Sequence, residues 1–326
     1  MEEQFESAPG QSFSGPVPEI VVLENQFLGG LKKAQKSLNT LKNYKTDLDC
    51  FNGFLLDAQE NLKLKSINNV TINEYSHFLD QKYSSDNSKR RRIQTLRLFF
   101  DFLIDQGLFN ENPVRKLVAS PKFLDIPRPA SFVDILKLWS YLEEWSQRPG
   151  RLESLVGKRN QLLFVLIYGS GLKVSDLVEL KTQDVLLEGS PRVLIRPLKR
   201  DPYTVPLPHI ASILIPRYLR ELESCKNESG HTFEALFFNA NPYRLLKGGL
   251  SARGIEAIFE EFRKKLDIQV TPKSLRQACV FKWLFQKFDD VLIKEWMGVA
   301  PSYSLALYKQ FSEQYPYHDH FFNLQN

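Results

Sequence analysis

Residues 168–180 have the sequence YGSGLKVSDLVEL, and they directly follow the apolar segment GKRNQLLFVLI at 157–167. The apolar segment predicts a buried helix that ends at the glycine pair Gly169 and Gly171, because glycine is the usual residue where a helix stops. A polar stretch that includes the cation Lys173 comes next. This stretch is the first of three in the second half of the chain that carry residue types suited to chemistry.

The other two stretches lie nearer the C-terminus. They are TPKSLR at 271–276 and WMGVAPSYSLALY at 296–308. Between the first stretch and the second, RVLIRP (192–197) and YTVPL (203–207) flank a turn-like LKRDP, a pattern that predicts a short β-hairpin. Apolar spacing of three and four residues predicts helices in most of the remainder, namely 132–145 capped by Ser131 with Asp134, 209–224, 251–266, 273–287, 289–297 and 302–312.

In order and separation, these three stretches resemble the catalytic blocks of the tyrosine recombinases, or phage-integrase family. The first block of that family carries an arginine between Gly-Leu and Val-Ser-Glu-Leu, where this chain has Lys173. The second block is a Thr-Pro-His-x-Leu-Arg box, and the third is a Leu-Gly-His segment followed by the nucleophilic tyrosine. The resemblance covers nearly everything after residue 18 and is greatest to Xer-type chromosomal recombinases.

The resemblance implies a clamp on duplex DNA and an attack by the tyrosine that forms a 3′-phosphotyrosyl bond. Arginines would bind the non-bridging oxygens of the transition state, and a lysine or histidine would protonate the departing 5′-oxygen. The covalent intermediate conserves the bond energy, so religation would need neither a metal nor a nucleotide cofactor. No cofactor is therefore expected.

Two residues match the family's catalytic pattern directly. Arg276 stands at the second arginine and Tyr308 at the nucleophile. Lys199 lies in the predicted hairpin where the family's lysine acid belongs, but the turn is one residue short, so Arg200 competes for the same role.

Three other catalytic positions are changed. Lys173 replaces the first arginine, Lys273 replaces the histidine of the Thr-Pro-His box, and Val299 replaces the second histidine. Lysine keeps the positive charge without the planar guanidinium, whereas valine has no hydrogen-bond donor. The sequence therefore leaves two hypotheses open, a slow or active recombinase and a catalytically dead DNA-binding accessory subunit. A helical interaction module that has lost DNA binding is a weaker third.

The N-terminal half predicts a helical bundle that resembles the family's core-binding domain. Its periodic segments are SLNTLKNYKTDLDCFNGFLLDAQ, VTINEYSHFLDQKY and SKRRRIQTLRLFFDFLIDQGLF, with a weaker helix at 19–36. Thr71 and Glu74 have the spacing of a capping box at the start of the second segment, and Gly107 is expected to end the third. Basic residues are concentrated from Lys89 to Arg128. The expected DNA contacts are Lys89, Arg90, Arg91, Arg92 and Arg97, together with Arg200.

The expected fold is mainly α with a small β-sheet, in two domains. Prolines at 113, 121, 127 and 129 indicate a linker, because each removes a backbone donor and disfavours helix before it. The predicted layout is a disordered leader (1–18), a helical, SAM-like core-binding domain (19–118), a linker (119–130), an integrase-type catalytic domain (131–312) and a tail (313–326). The tail, with Phe321 and Phe322, is expected to join subunits into oligomers on double-stranded DNA.

Composition excludes several other classes of protein. The 326 residues carry 43 Lys and Arg against 38 Asp and Glu, a modest net charge of +5 that is compatible with nucleic acid. No apolar run approaches the ~20 residues needed to span a bilayer, and a cytoplasmic location is expected. The three cysteines are far apart, and His318 and His320 are the only close histidine pair, so neither a disulfide scaffold nor a metal site is predicted.

Overall fold

The computed structural model describes residues 19–59, 62–117, 126–198, 200–240 and 246–315. They fall into two compact units, one within residues 1–124 and the other within 125–326. The predicted leader, most of the predicted linker, Lys199 and the tail beyond Tyr315 lie outside the described residues. None of the described helices is long and apolar enough to cross a membrane.

The first unit is a bundle of helices around an aromatic core. The ring of Tyr75 lies 4.9 Å from Phe51 and 5.3 Å from Phe54, and Phe27 lies 5.7 Å from Phe99. These side chains are buried because they repeat at the three- and four-residue spacing that places them on one helix face. The helices are α1 (Glu19–Lys33), α2 (Leu38–Gln59), α3 (Asn69–Lys82) and α4 (Asp86–Asp105), with 3₁₀ turns at Leu64–Ser66 and Pro113–Lys116.

Helix α3 begins earlier than the sequence pattern predicts. Its N-cap is Asn68, whose Oδ1 accepts hydrogen bonds from the backbone N–H groups of Val70 at 2.8 Å and Thr71 at 3.2 Å. The Thr71 hydroxyl in turn accepts from the Asn68 N–H at 3.4 Å, which completes a capping box. The predicted cap of Thr71 with Glu74 was wrong, because asparagine caps at least as well as threonine and starts the helix one turn sooner.

The second unit surrounds a buried helix, as the sequence predicts. The residues from Leu162 to Tyr168 are all fully buried, and the last part of this helix widens into a π-helical turn at Val165–Gly169. Ser131 caps the first helix of the unit by accepting from the Asp134 N–H at 3.1 Å, as predicted. The helices are α5 (Phe132–Ser146), α6 (Arg151–Phe164), α7 (Val174–Glu179), α8 (His209–Ser229), α9 (Ala252–Leu266), α10 (Pro272–Phe285), α11 (Asp290–Met297) and α12 (Ala306–Phe311).

Two small antiparallel sheets complete the second unit. Strands β2 (Arg192–Ile195) and β3 (Tyr203–Pro206) form the predicted hairpin, and β1 (Val185–Leu186) pairs with the other side of β2. Strands β4 (Phe238–Ala240) and β5 (Leu246–Gly248) form a second ribbon that was not predicted. Three residues are too few for the alternating pattern that identifies a strand from sequence.

Candidate active site

Arg276 links the three sequence stretches that resemble catalytic blocks. It lies in α10, whose start is determined by Thr271 as N-cap and Pro272 in the first turn. One Nη atom of Arg276 donates to the carbonyl of Gly171 at 2.5 Å, and the other donates to the carbonyl of Met297. The first, second and third stretches therefore converge on one guanidinium group.

Lys173 and Lys273, the two lysines at changed catalytic positions, differ in their surroundings. Lys173 is the N-cap residue of α7, two residues after Gly171, and its Nζ lies 3.5 Å from Oδ1 of the buried Asp176. The Lys173 side chain is 40% exposed, so it can still reach an anion in solvent. Lys273 lies in the first turn of α10, where its side chain is exposed.

Tyr308 is buried in this structure. Only 7% of the residue is exposed, and its ring lies 5.3 Å from that of Phe281. Burial raises the pKa of the Tyr308 phenol above its ordinary value, and the positive charge of Arg276 opposes this shift without cancelling it. The hydroxyl is therefore protonated at neutral pH, so attack on a phosphate would require removal of its proton and exposure of the side chain.

Val299 follows the C-terminal glycine of α11 and packs against the core. Its backbone N–H donates to the Lys294 carbonyl at 3.1 Å, and its side chain has no polar atom. Arg200 lies at the tip of the hairpin with its guanidinium carbon 4.2 Å above the ring of Tyr203. Lys199, the other candidate for the hairpin cation, lies outside the described residues.

Tyr203 is a residue that the sequence analysis did not single out. It opens β3, directly after the hairpin tip, and its hydroxyl is buried close enough to Arg276 and Asp176 for both charges to affect its pKa. The sequence does contain a signal that could have indicated Tyr203. It is an aromatic residue three positions after the candidate cation Arg200, and a tight hairpin turn brings residues at that spacing close together.

The candidate DNA-contacting residues on α4 have different surroundings. Arg92 is only 8% exposed, and its guanidinium stacks 3.8 Å above the ring of Tyr83. Arg91 is partly exposed and pairs with the buried Asp47 at 2.8 Å, and Asp47 also accepts from the Thr95 hydroxyl. The geometry thus gives Arg92 a packing role inside the bundle and leaves Arg91 partly accessible.

The remaining candidates on α4 also divide by exposure. Lys89 pairs with Asp80 at 2.9 Å and with Asp86 at 3.0 Å, whereas the Arg90 side chain is exposed. The Nε atom of Arg97 is buried within the unit. Arg90 is therefore the most accessible of the five α4 cations proposed for DNA contact.

The side chains that could bind a metal are dispersed over the described ranges. Among these residues no three His, Cys, Asp or Glu side chains are grouped closely enough to hold an ion. None of the three cysteines, which are all described, is part of a disulfide, and Cys279 is buried in the core.

Both units match families of known proteins. Residues 25–107 match the family described as "Phage integrase, N-terminal SAM-like domain", and residues 146–314 match "Phage integrase family". A tyrosine recombinase XerC from Oceanobacillus iheyensis is 28% identical over 276 residues, covering 82% of this chain and 84% of the relative. A tyrosine recombinase XerD from Listeria monocytogenes is 24% identical over 275 residues, covering 83% and 88%.

Solved structures share the fold at lower identity. A λ integrase dimer bound to a COC′ core site superimposes with a TM-score of 0.64 at 20% identity, covering 89% of this chain and 77% of that one. The XerH recombinase bound to a palindromic difH substrate gives a TM-score of 0.64 at 17% identity, covering 89% and 82%.

Proposed function

This chain belongs to the phage integrase family, and we propose on that premise that it is a site-specific DNA-binding tyrosine recombinase whose strand cleavage is slow. The observation that carries the proposal is the convergence of the three stretches on Arg276, through the carbonyls of Gly171 and Met297. A guanidinium held in this way is positioned to bind the non-bridging oxygens of a phosphodiester.

In the proposed reaction, the Tyr308 hydroxyl loses its proton to water as its oxygen attacks the phosphorus, and the 5′-oxygen of DNA departs with a proton. Arg276 and Lys173 stabilise the charge that develops on the phosphate, and Lys199 or Arg200 at the hairpin tip supplies the proton. The product is a 3′-phosphotyrosyl bond, which the 5′-hydroxyl of the other strand attacks in the reverse step. Each step conserves the number of phosphodiester-type bonds, so no external energy source is needed.

The changed residues explain why the proposed cleavage is slow. Loss of one transition-state donor costs about 3 kcal/mol, or roughly two orders of magnitude in rate. Lys173 and Lys273 retain positive charge, so their cost is smaller than that of Val299, which offers no donor. Ground-state DNA binding depends on net positive charge and should be affected less than catalysis.

The relatives support duplex DNA as the proposed substrate. Both XerC and XerD are named as tyrosine recombinases, and the λ integrase structures are described as a dimer on a core site and a tetramer on a Holliday junction. We propose that the present chain also forms an oligomer on DNA, and that residues 313–326 join its subunits. With DNA as substrate, the proposed compartment is the cytoplasm.

A catalytically dead accessory subunit is the second candidate. The observation that favours it is the burial of Tyr308, a residue that is only 7% exposed. Such a protein would bind the same DNA beside an active relative and would make no covalent bond to it.

A trapping experiment distinguishes the two candidates. A duplex selected from a random pool by binding would be nicked near its centre, so that cleavage releases a short fragment and leaves a covalent protein–DNA adduct. We expect little adduct from the wild-type protein. The triple change Lys173→Arg, Lys273→His, Val299→His should raise the yield, because it restores three family donors.

The control for this experiment is Tyr308→Phe in the triple variant, which should abolish the adduct while DNA binding persists. Efficient trapping by the wild-type protein, lost in Tyr308→Phe, would mean that the active site is not impaired. No adduct from the triple variant would favour the accessory role.

A further inference from the structure

Tyr203 places a buried hydroxyl beside the candidate active site. The residue is the first of β3, its ring is half-buried, and its hydroxyl oxygen is shielded from solvent. Within the described part of the chain, this hydroxyl makes no hydrogen bond of normal geometry. The polar group beside it is the Arg200 guanidinium, which can donate a hydrogen bond but cannot accept one. A buried donor without an acceptor costs about 1–3 kcal/mol, so its presence calls for a physical reason.

The surroundings of this hydroxyl are those of the candidate site. Gly298 has φ of +60°, and a Cβ added to it would collide with both the Tyr203 hydroxyl and an Nη atom of Arg200. Gly298 follows Met297, whose carbonyl accepts from Arg276, and precedes Val299. The phenol of Tyr203 therefore lies against the backbone at the position where the family histidine is missing.

The phenol keeps its proton in this environment. Burial raises the pKa of Tyr203, and the negative charge of Asp176 raises it further, while Arg200 and Arg276 act in the opposite direction and do not overcome the shift. A neutral phenol is a hydrogen-bond donor, which is the function that valine at position 299 cannot perform.

Arg200 has its guanidinium beside this donor. Its side chain is exposed at the hairpin tip, and its guanidinium lies over the Tyr203 ring. A phosphate that attracts Arg200 outward would uncover the hydroxyl and bring a second cation to the same oxygen. This arrangement differs from a purely structural tyrosine such as Tyr218, whose hydroxyl donates to the Leu236 carbonyl at 2.7 Å.

We propose that the Tyr203 hydroxyl donates a hydrogen bond to a non-bridging oxygen of the scissile phosphate, in place of the donor missing at Val299, and that Arg200 binds the same phosphate. This inference rests on the proposed function, because it assigns a further residue to that site. It adds Tyr203 to the residues that contact the scissile phosphate in this chain.

The test uses the duplex selected by binding. In a series of substrates, a 5′-bridging phosphorothiolate replaces one phosphodiester at each central position in turn. The sulfur leaving group needs no proton and religates poorly, so the covalent protein–DNA adduct accumulates even when cleavage is slow. The cleavage rate then depends on the groups that stabilise the phosphate rather than on the proton donor. Tyr203→Phe should lower the cleavage rate by about 10- to 100-fold, as expected for one lost donor, with unchanged binding in a shift assay. Adding Val299→His to Tyr203→Phe should restore part of the rate.

Tyr141→Phe is the matched control, because it removes a phenol hydroxyl from the same unit at a ring that packs 5.6 Å from Trp145. Its rate should equal that of the wild-type protein. Equal rates for wild type and Tyr203→Phe, or a wild-type protein that binds but never cleaves, would overturn the inference and leave the DNA-binding function standing. Failure of the wild-type protein to bind any duplex would refute the proposed function and the inference with it.

Discussion

At the scale of single residues, the site depends on backbone atoms as much as on side chains. The carbonyls of Gly171 and Met297 hold Arg276, so any change that moves either peptide also moves the guanidinium. Gly171 has φ of +63°, and a Cβ there would lie 2.5 Å from the fully buried ring of Trp283. Position 171 therefore needs glycine for both its backbone conformation and its packing.

Gly171→Ala should destabilise the second unit. The left-handed backbone costs about 1–2 kcal/mol for an L-residue, and overpacking against Trp283 adds about 1–3 kcal/mol. Urea unfolding followed by tryptophan fluorescence measures this, since all four tryptophans lie between residues 125 and 326.

Gly230→Ala serves as the control for Gly171→Ala. Gly230 has φ of +67° and open space around its Cα, so its substitution carries only the backbone cost. Equal losses for the two variants would contradict the packing argument.

Glu24 is a buried carboxyl in the first unit, and it should make stability depend on pH. Burial raises its pKa from 4.5 to about 8, and a 2.9 Å hydrogen bond from Asn52 only partly opposes this rise. Because the folded pKa is the higher one, the contribution of Glu24 to stability is greatest below the unfolded pKa. This contribution is lost as pH rises from 4.5 to about 8.

Glu24→Gln should remove this dependence, since the amide resembles the protonated acid. The variant should be more stable than wild type above the folded pKa and close to wild type near the unfolded pKa. Urea unfolding by far-UV circular dichroism would measure both proteins across this range. A pH-independent difference between them would show that Glu24 is not protonated in the fold.

At the scale of elements, caps determine where helices begin. Asn68 caps α3, and its side chain satisfies two backbone N–H groups that have no partner within the helix. The exposed Glu74 lies one turn further along and has no part in this cap.

Asn68→Ala should destabilise the first unit by about 1 kcal/mol, whereas Glu74→Ala should change it by less than about 0.5 kcal/mol. Hydrogen exchange of the amides at the start of α3 gives the local measurement. A larger loss of stability for Glu74→Ala than for Asn68→Ala would instead support the cap of Thr71 with Glu74 that the sequence pattern predicts.

At the scale of the whole molecule, DNA binding should be dominated by phosphate contacts. The logarithm of the affinity should fall linearly with the logarithm of the salt concentration. Arg90→Ala should reduce the slope by about one, because its side chain is exposed and lies in the basic segment.

Arg115→Ala is the comparison for Arg90→Ala, since both carboxylate oxygens of Asp101 already bind its guanidinium. It should change the slope much less. An affinity that is insensitive to salt, or the absence of binding at low salt, would refute the DNA-binding proposal.

Oligomer assembly is the second prediction at this scale. Deletion of residues 313–326 should reduce cooperative binding to paired sites and leave the affinity for a single site nearly intact, if the tail joins subunits. Shift assays on one-site and two-site duplexes measure the two quantities separately. Unchanged cooperativity in the deletion variant would exclude this role for the tail.

The sequence by itself determined the local features of this protein. Apolar periodicity identified most of the helices, though not α7, the hairpin of β2 and β3 followed from two short β-rich runs around a turn, and three ordered motifs indicated the family. The replacements at Lys173, Lys273 and Val299 are likewise visible in the sequence alone. All of these depend on residues that are near neighbours along the chain.

The tertiary structure decided which of those residues meet and which are accessible. Arg276 and Gly171 are 105 positions apart, and their hydrogen bond exists only because α10 packs beside the end of the buried helix. Arg92 lies in the same basic run as Arg90, yet it stacks on Tyr83 inside the bundle. Periodicity reports which face of a helix is apolar, but burial of a given atom depends on the element that packs against it. The burial of Tyr308 and the placement of Tyr203 beside Gly298 follow from such packing.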